Sequence, residues 1–243
     1  MRIGLALGGG GVRGLAHIGV LRALERAGVN ADVICGTSAG AIIGASYAAG
    51  MPTEEMVEIV RELRWTQFMK PALRRNSVLD TTVFDAFLDK VIAARNFDEL
   101  HCSYAAIACD SVTGERVVLA QGDPARAARA SAAIRYVLPP VEIDGRLLID
   151  GIHADAVPVT VTRTLGADYV IAVDVGHHRD RKERELDLNG EADRVISIVG
   201  NKRSAWDFTR SLEVIAAGEA AAEAMLPEIR ADVALQSPDQ RPA

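Results

Sequence analysis

VICGTSAGAIIGASYAAG, residues 33–50, opens with a short apolar run, passes through Gly36-Thr37-Ser38-Ala39-Gly40 and continues as a small-residue stretch stopped by Gly50 and Pro52. Residues 33–35 read as a strand buried on both faces, and residues 39–49 as a helix. G-x-S-x-G between a strand and a helix is the context a nucleophile elbow needs. The glycines answer crowding: on a sharp strand-to-helix turn the chain passes close on both sides, and side chains at 36 and 40 would clash. The turn pushes the Ser38 hydroxyl to the top of a sheet. It also sets it at a helix N-terminus, whose dipole favours developing negative charge. A chance match in a chain rich in Gly and Ala is the competing reading. The flanking pattern and a second glycine loop upstream weigh against it.

That loop lies between IGLAL, residues 3–7, and a helix over residues 14–27 whose Leu15, Ile18, Leu21 and Leu24 share one face. Gly28 is the expected stop. Gly9-Gly10-Gly11-Val12-Arg13-Gly14 brings backbone N–H groups together at a helix start, which suits an anion. Three readings stay open: an oxyanion hole, a dinucleotide site and a plain tight turn. Gly9, Gly11 and Gly14 satisfy G-x-G-x-x-G. A dinucleotide site also needs an acid closing the second strand. Asp32 precedes that strand, and Gly36-Thr37-Ser38 closes it. No G-K-[ST] follows, so a P-loop is excluded.

Downstream, Thr53 reads as the N-cap of a helix to residue 64, and residues 81–94 as another. Strands are expected at 105–109 and 116–119, with a turn at 110–114. A helix follows at 124–133. Asp144-Gly145 joins strands 141–143 and 147–149 as a hairpin. Residues 169–173 read as the last clear strand, 176–195 as a charged surface loop, and 211–226 as an Ala-rich helix that Pro227 kinks or restarts. Strands alternating with helices imply an α/β fold with a mostly parallel sheet covered on both faces. One domain over 1–243 is expected, with a core of about 1–175 and a helical C-terminal part of about 196–235.

A serine nucleophile needs a base. Asp150 stands at the end of strand 147–149 and is followed by Gly151, which puts a carboxylate at the sheet edge where ligands sit. Asp150 or Asp174 followed by His177 would fit the order of a triad. However, His177 and His178 lead into the charged loop, and His17 lies inside the first helix. Asp150 alone is the preferred partner.

Half the chain is hydrophobic at 49%, enough for a large core, and the net charge of −6 argues against a nucleic-acid binder. Cys35, Cys102 and Cys109 form neither a disulfide framework nor a zinc spacing, so no metal site is expected. The apolar N-terminal run is too short for a signal peptide, and no run spans a membrane, which gives a cytoplasmic expectation. Trp65, Phe68 and Met69 beside Lys70, Arg74 and Arg75 suggest a lid making transient contact with an anionic lipid surface. A packed helix end with a solvated basic fringe is the plainer reading.

Taken in order, these blocks resemble the patatin-like phospholipase family over about residues 1–175, and most resemble its short bacterial catalytic-core members. GGGVRG (9–14), GTSAG (36–40) and DG (150–151) carry the likeness. So do NFDEL, ACDSVTGE, ARASAAI, LPPVEIDGRLLIDG and LGADYVIAVDV between and after them. The resemblance implies a three-layer α/β/α fold and a Ser–Asp dyad without histidine. It implies hydrolysis of acyl esters of phospholipids, lysophospholipids or acylglycerols, with no metal or other cofactor. By position, Ser38 attacks, Asp150 moves the proton, and N–H groups of Gly10 and Gly11 hold the oxyanion. Arg13 steadies the loop or favours anionic head groups. Three departures stand out. Ile152 follows Asp150-Gly151 where the family has Gly or Ala. Arg135 replaces a proline. Asp155-Ala156-Val157 precedes Pro158 where an asparagine is usual. A catalytically weak lipid-binding protein on the same fold is the alternative that Ile152 and Arg135 keep open. Oligomeric state is not legible.

Overall fold

The computed structural model describes residues 1–63, 71–74, 77–79, 81–176, 188, 190–198 and 208–236. In chain order the first half contains β1 (Ile3–Leu7), α1 (Ala16–Arg26), β2 (Val33–Thr37), α2 (Ala39–Ala48), α3 (Thr53–Glu62), a small hairpin of β3 (Pro71–Arg74) and β4 (Ser77–Leu79), and α4 (Thr82–Val91). The second half contains β5 (Ser103–Asp110), β6 (Arg116–Leu119), α5 (Pro124–Ser131), β7 (Val141–Ile143), β8 (Arg146–Asp150), α6 (Val159–Thr164), β9 (Tyr169–Asp174), β10 (Arg194–Ser197) and α7 (Ser211–Gln236).

The main sheet has eight strands in the order β10-β9-β1-β2-β5-β8-β7, with β6 also on β5. β10, β9, β1, β2 and β5 run parallel, β6 and β8 run antiparallel to β5, and β7 is antiparallel to β8. The sheet is three-layered because its strands bury both faces. Leu5, Leu7, Ile34 and Ile171 join the large cluster under α1, α2, α5 and α7. Ala6, Val33, Val170 and Ala172 pack on the other face against Val157, Val159 and Leu188. From β1 to β2 to β5 the chain moves one way across parallel strands, and right-handed crossovers place its helices on one face. On the return from antiparallel β8 to β9, α6 packs on the other face.

Several expectations need correction. β10 is a further strand at the sheet edge, so β9 is not the last, and residues 194–195 belong to a strand rather than a loop. Residues 177–187 of that predicted loop lie outside the described residues, as do His177 and His178. Thr53 is the first helical residue and Pro52 the N-cap, because the Thr53 hydroxyl hydrogen-bonds Glu25 at 2.8 Å instead of capping its own helix. α7 runs through Pro227 as one helix to Gln236. Residues 64–70, the heart of the lid reading, lie outside the described residues. The sequence also gave no helix at 159–164, where five of six residues are β-branched. The helix forms because Val159, Val161 and Thr162 are buried, and because Thr162 and Thr164 bond back to the carbonyls of Pro158 and Thr160.

α7 grips α1 closely. A Cβ on Gly218 would run into the Ala16 carbonyl, and Glu219 reaches both Arg22 and Arg26. The helix that carries the glycine loop is thus clamped from outside the sheet.

Candidate active site

β2 ends at Thr37 and α2 starts at Ala39, leaving Ser38 alone to turn the chain. Its φ of 55° and ψ of −118° lie where non-glycine residues rarely go. Such strain costs of order 1–3 kcal/mol and persists only where surroundings hold it. Here they do. The Ser38 N–H donates to Ser131 Oγ at 2.8 Å, and that hydroxyl donates in turn to the Ile107 carbonyl of β5. Thr37 Oγ1 donates to the Asp155 carbonyl at 2.8 Å. Ser131 was not singled out by sequence. Its only signal was a serine on the buried side of an Ala-rich helix.

Gly40 shows why the motif needs its glycines. A Cβ there would penetrate the Leu7 carbonyl, and one at Gly36 would meet the Gly40 carbonyl, both backbone atoms that cannot swing aside. Gly40→Ala is therefore expected to destabilise the fold at or beyond the upper end of the roughly 1–3 kcal/mol overpacking range. Thermal melting would show it, and an unchanged Tm would refute the close-approach account.

Ser38 Oγ donates to Asp150 Oδ2 at 2.7 Å across 112 residues. Both side chains are buried, at 5% and 3% exposure. Asp150 ends β8 beside the end of β2, but the strand that delivers it runs against the parallel ones. β8 is antiparallel to β5, with Leu148 opposite Asp110 and Asp150 opposite Ala108. β2 pairs Thr37 with Ile107. β8 thus starts beyond the end of β2 and runs back to meet it, so the Ser38 hydroxyl and the Asp150 carboxylate approach each other head-on. Asp150 Oδ1 accepts from the Ile152 N–H at 2.9 Å, and the Asp150 N–H donates to the Ala133 carbonyl. Burial pushes the Asp150 carboxyl above the usual aspartate value, against the bonds from Ile152 and Ser38 and the charge of His153.

The glycine loop lies alongside. A Cβ on Gly9 would stand 3.4 Å from both the Ser38 Cβ and the end of the Ile152 side chain. Gly8 and Gly9 spend their N–H groups on the carbonyls of Val173 and Ala156. No carbonyl of the described residues accepts from Gly10 or Gly11, so theirs remain available. Gly10 backs onto Val175 and Gly14 onto Ala39, which locks loop to elbow. Gly11 has φ +58° and opens the 3₁₀ turn Gly11–Leu15, which also holds the half-buried Arg13. Gly151 abuts the Ile107 carbonyl. Ile152 is 42% exposed beside Gly9, and Arg135 lies over the exposed Tyr136 ring.

No histidine hydrogen-bonds Ser38 or Asp150 among the described residues. His17 is fully buried, and its Nε2–H donates to the Gly8 carbonyl at 2.7 Å. Burial lowers its pKa to about 4, so it supports the loop as a neutral donor. Asp32 accepts from the Ile3 N–H at the start of β2, the sheet edge opposite the glycine loop, which leaves the dinucleotide reading without its ribose partner. No group of three or more metal-ligating side chains occurs among the described residues. None of the described helices is long and apolar enough to cross a membrane.

An apolar cavity of about 200 Å³ opens at Ser38 and is lined by residues of α1, α2, α3 and α4, among them Ile18, Ile42, Met56 and Phe87, and by Leu15 of the 3₁₀ turn.

The arrangement has relatives. The chain is 40% identical over 186 residues to a patatin-like phospholipase domain-containing protein of Caenorhabditis elegans, covering 72% of this chain and 14% of that protein. It is 31% identical over 217 residues to an uncharacterised NTE family protein of Mycobacterium bovis, covering 88% of this chain and 60% of that one. The chain thus spans about one seventh of the first relative's length. The fold matches the crystal structure of VipD from Legionella pneumophila with a TM-score of 0.67 at 13% identity, over 93% of this chain and 67% of that one. A family model described as patatin-like phospholipase matches residues 5–163. With most of its sheet and its serine elbow inside that match, this chain belongs to the patatin-like phospholipase family.

Proposed function

We propose that the chain is a serine acyl hydrolase that cleaves carboxylic esters of phospholipids, lysophospholipids or acylglycerols. The observation that carries this reading is the 2.7 Å hydrogen bond from a strained, buried serine to a desolvated carboxylate, at the mouth of an apolar cavity. Ser38 Oγ attacks the ester carbonyl carbon as its proton passes to Asp150. The carbonyl π pair moves onto oxygen, and the N–H groups of Gly10 and Gly11 stabilise that oxyanion together with the α2 N-terminus. Collapse of the tetrahedral species expels the alcohol, which takes the proton from Asp150. Water then repeats the cycle on the acyl-serine. An ordinary aspartate, with a pKa near about 3.9, is a weak base at neutral pH. The burial that raises Asp150 supports its use as the only base.

α7 clamped on α1 supports treating the chain as one hydrolase domain.

A fluorescent fluorophosphonate is expected to label the wild-type protein on Ser38, as read by peptide mapping, with turnover of short p-nitrophenyl esters. Folded protein that binds lipid but neither labels nor turns over would replace hydrolysis with the lipid-binding alternative.

A further inference from the structure

The apolar cavity runs down one side of α2. Ser38, Ile42 and Ser46 succeed one another along its wall, one helical turn apart. α3 lines it with Met56, Ile59 and Val60, a second stripe at three- and four-residue spacings, and Leu63 follows just past its end. α2 stops at Ala48, two residues beyond Ser46. The Met51 N–H donates to the Ser46 carbonyl at 3.0 Å, which ties the turn between α2 and α3 across the base of the helix. Met51 lines the cavity there, as does Met56, itself 4% exposed.

We propose that Met51 and Met56 form the floor of the acyl site and limit the chain it holds to about ten carbons. This rests on the hydrolase reading above. Eight residues from Ser38 to Ser46 advance about 12 Å along α2. An extended chain with C–C bonds of about 1.5 Å advances about 1.25 Å per carbon. The two lengths match at about ten carbons. Up to that point each methylene leaves water for an apolar wall and strengthens binding roughly fourfold. Beyond it a further methylene must displace a methionine or stay in solvent, and gains nothing comparable. The site is therefore built for medium-length acyl chains, and its two floor residues are unbranched side chains that a cavity tolerates at its end.

The test uses two readouts on one chain-length series. Saturated fatty acids of six to sixteen carbons are titrated calorimetrically into the whole protein, and the matching p-nitrophenyl esters are assayed below their aggregation limits. Affinity and kcat/KM are expected to rise roughly fourfold per methylene and to flatten near ten carbons. Met51→Ala should move the break upward by about two carbons, the length a methionine side chain vacates. Ile42→Phe, halfway up the wall, should move it down to about five. Either variant suffices if the other fails to fold. Affinity that climbs steadily to sixteen carbons, or a break that stays put in a folded variant, would overturn the proposal. A break at ten carbons in binding with no ester turnover at any length would leave the floor standing and defeat the hydrolase reading.

Discussion

Ser38→Ala is expected to lower kcat on any ester substrate by at least about 10⁴-fold and to abolish fluorophosphonate labelling. Among the described residues Ser38 alone gives its hydroxyl to Asp150. Ser131, the next nearest in the network, has its oxygen engaged by the Ser38 N–H and its proton given to Ile107. The fold should survive, because the strain at position 38 belongs to the turn and Ala removes only the hydroxyl. The turn keeps its bond to Ser131 through the backbone. Binding of acyl chains should also survive, since the cavity wall is intact. Equal loss of binding and turnover, measured on the same protein, would mean that Ser38 shapes the cavity rather than reacts.

Asp150→Asn carries the second large effect, and it separates activity from stability. An amide cannot accept the serine proton, so kcat is expected to fall by about 10³- to 10⁴-fold. The hydrogen bonds can all be remade: the amide oxygen accepts from Ile152, and the amide N–H donates to Ser38. What disappears is a buried charge. Because burial raises the Asp150 pKa in the folded state, the native protein holds that proton more tightly than the unfolded chain. Stability from this group is therefore greatest at low pH and declines as pH rises from about 3.9 through the raised value. At pH 7 the wild type bears the full penalty and the variant bears none. The variant should melt at the same temperature as the wild type or higher at pH 7, with the gap closing below about pH 4. The wild-type rate should fall on acidification with a midpoint above the ordinary aspartate value. A variant that melts lower at pH 7 would place the stabilising bond, not the buried charge, in control.

How much of this was legible depended on distance along the chain. The strand–loop–helix at 3–26, the elbow at 33–48 and the hairpin at Asp144-Gly145, whose φ values of 50° and 76° fit a type I′ turn, are local patterns and could be read directly. The choice of Asp150 as partner to Ser38 follows from its place at a strand end before Gly151, with the likeness of motifs beside it. The head-on course of β8 behind it could not be read, because strand direction is set by partners far away in sequence. α6 failed for a related reason: burial against β1, β2 and β9 overrides the poor helix propensity of Val and Thr. His17 and Ser131 are ordinary residues in the sequence. They become supports of the site only when the Gly8 carbonyl and the Ser38 N–H are placed beside them.

β1 lies at the centre of the sheet, between β2 and β9, and the loop it feeds is held by carbonyls of Ala156 and Val173. A chain growing from its N-terminus makes the serine elbow early. It cannot bring up the carboxylate until β8 has been added at residue 150, or set the glycine loop until residue 173 has been added. Such contacts between distant parts of a chain form slowly and late. Newly made chains should therefore carry the Ser38 turn for most of their synthesis without the groups that complete it, and regain of the proposed activity on refolding should trail the recovery of helical signal. A site assembled in this order stays incomplete until the fold around it has closed.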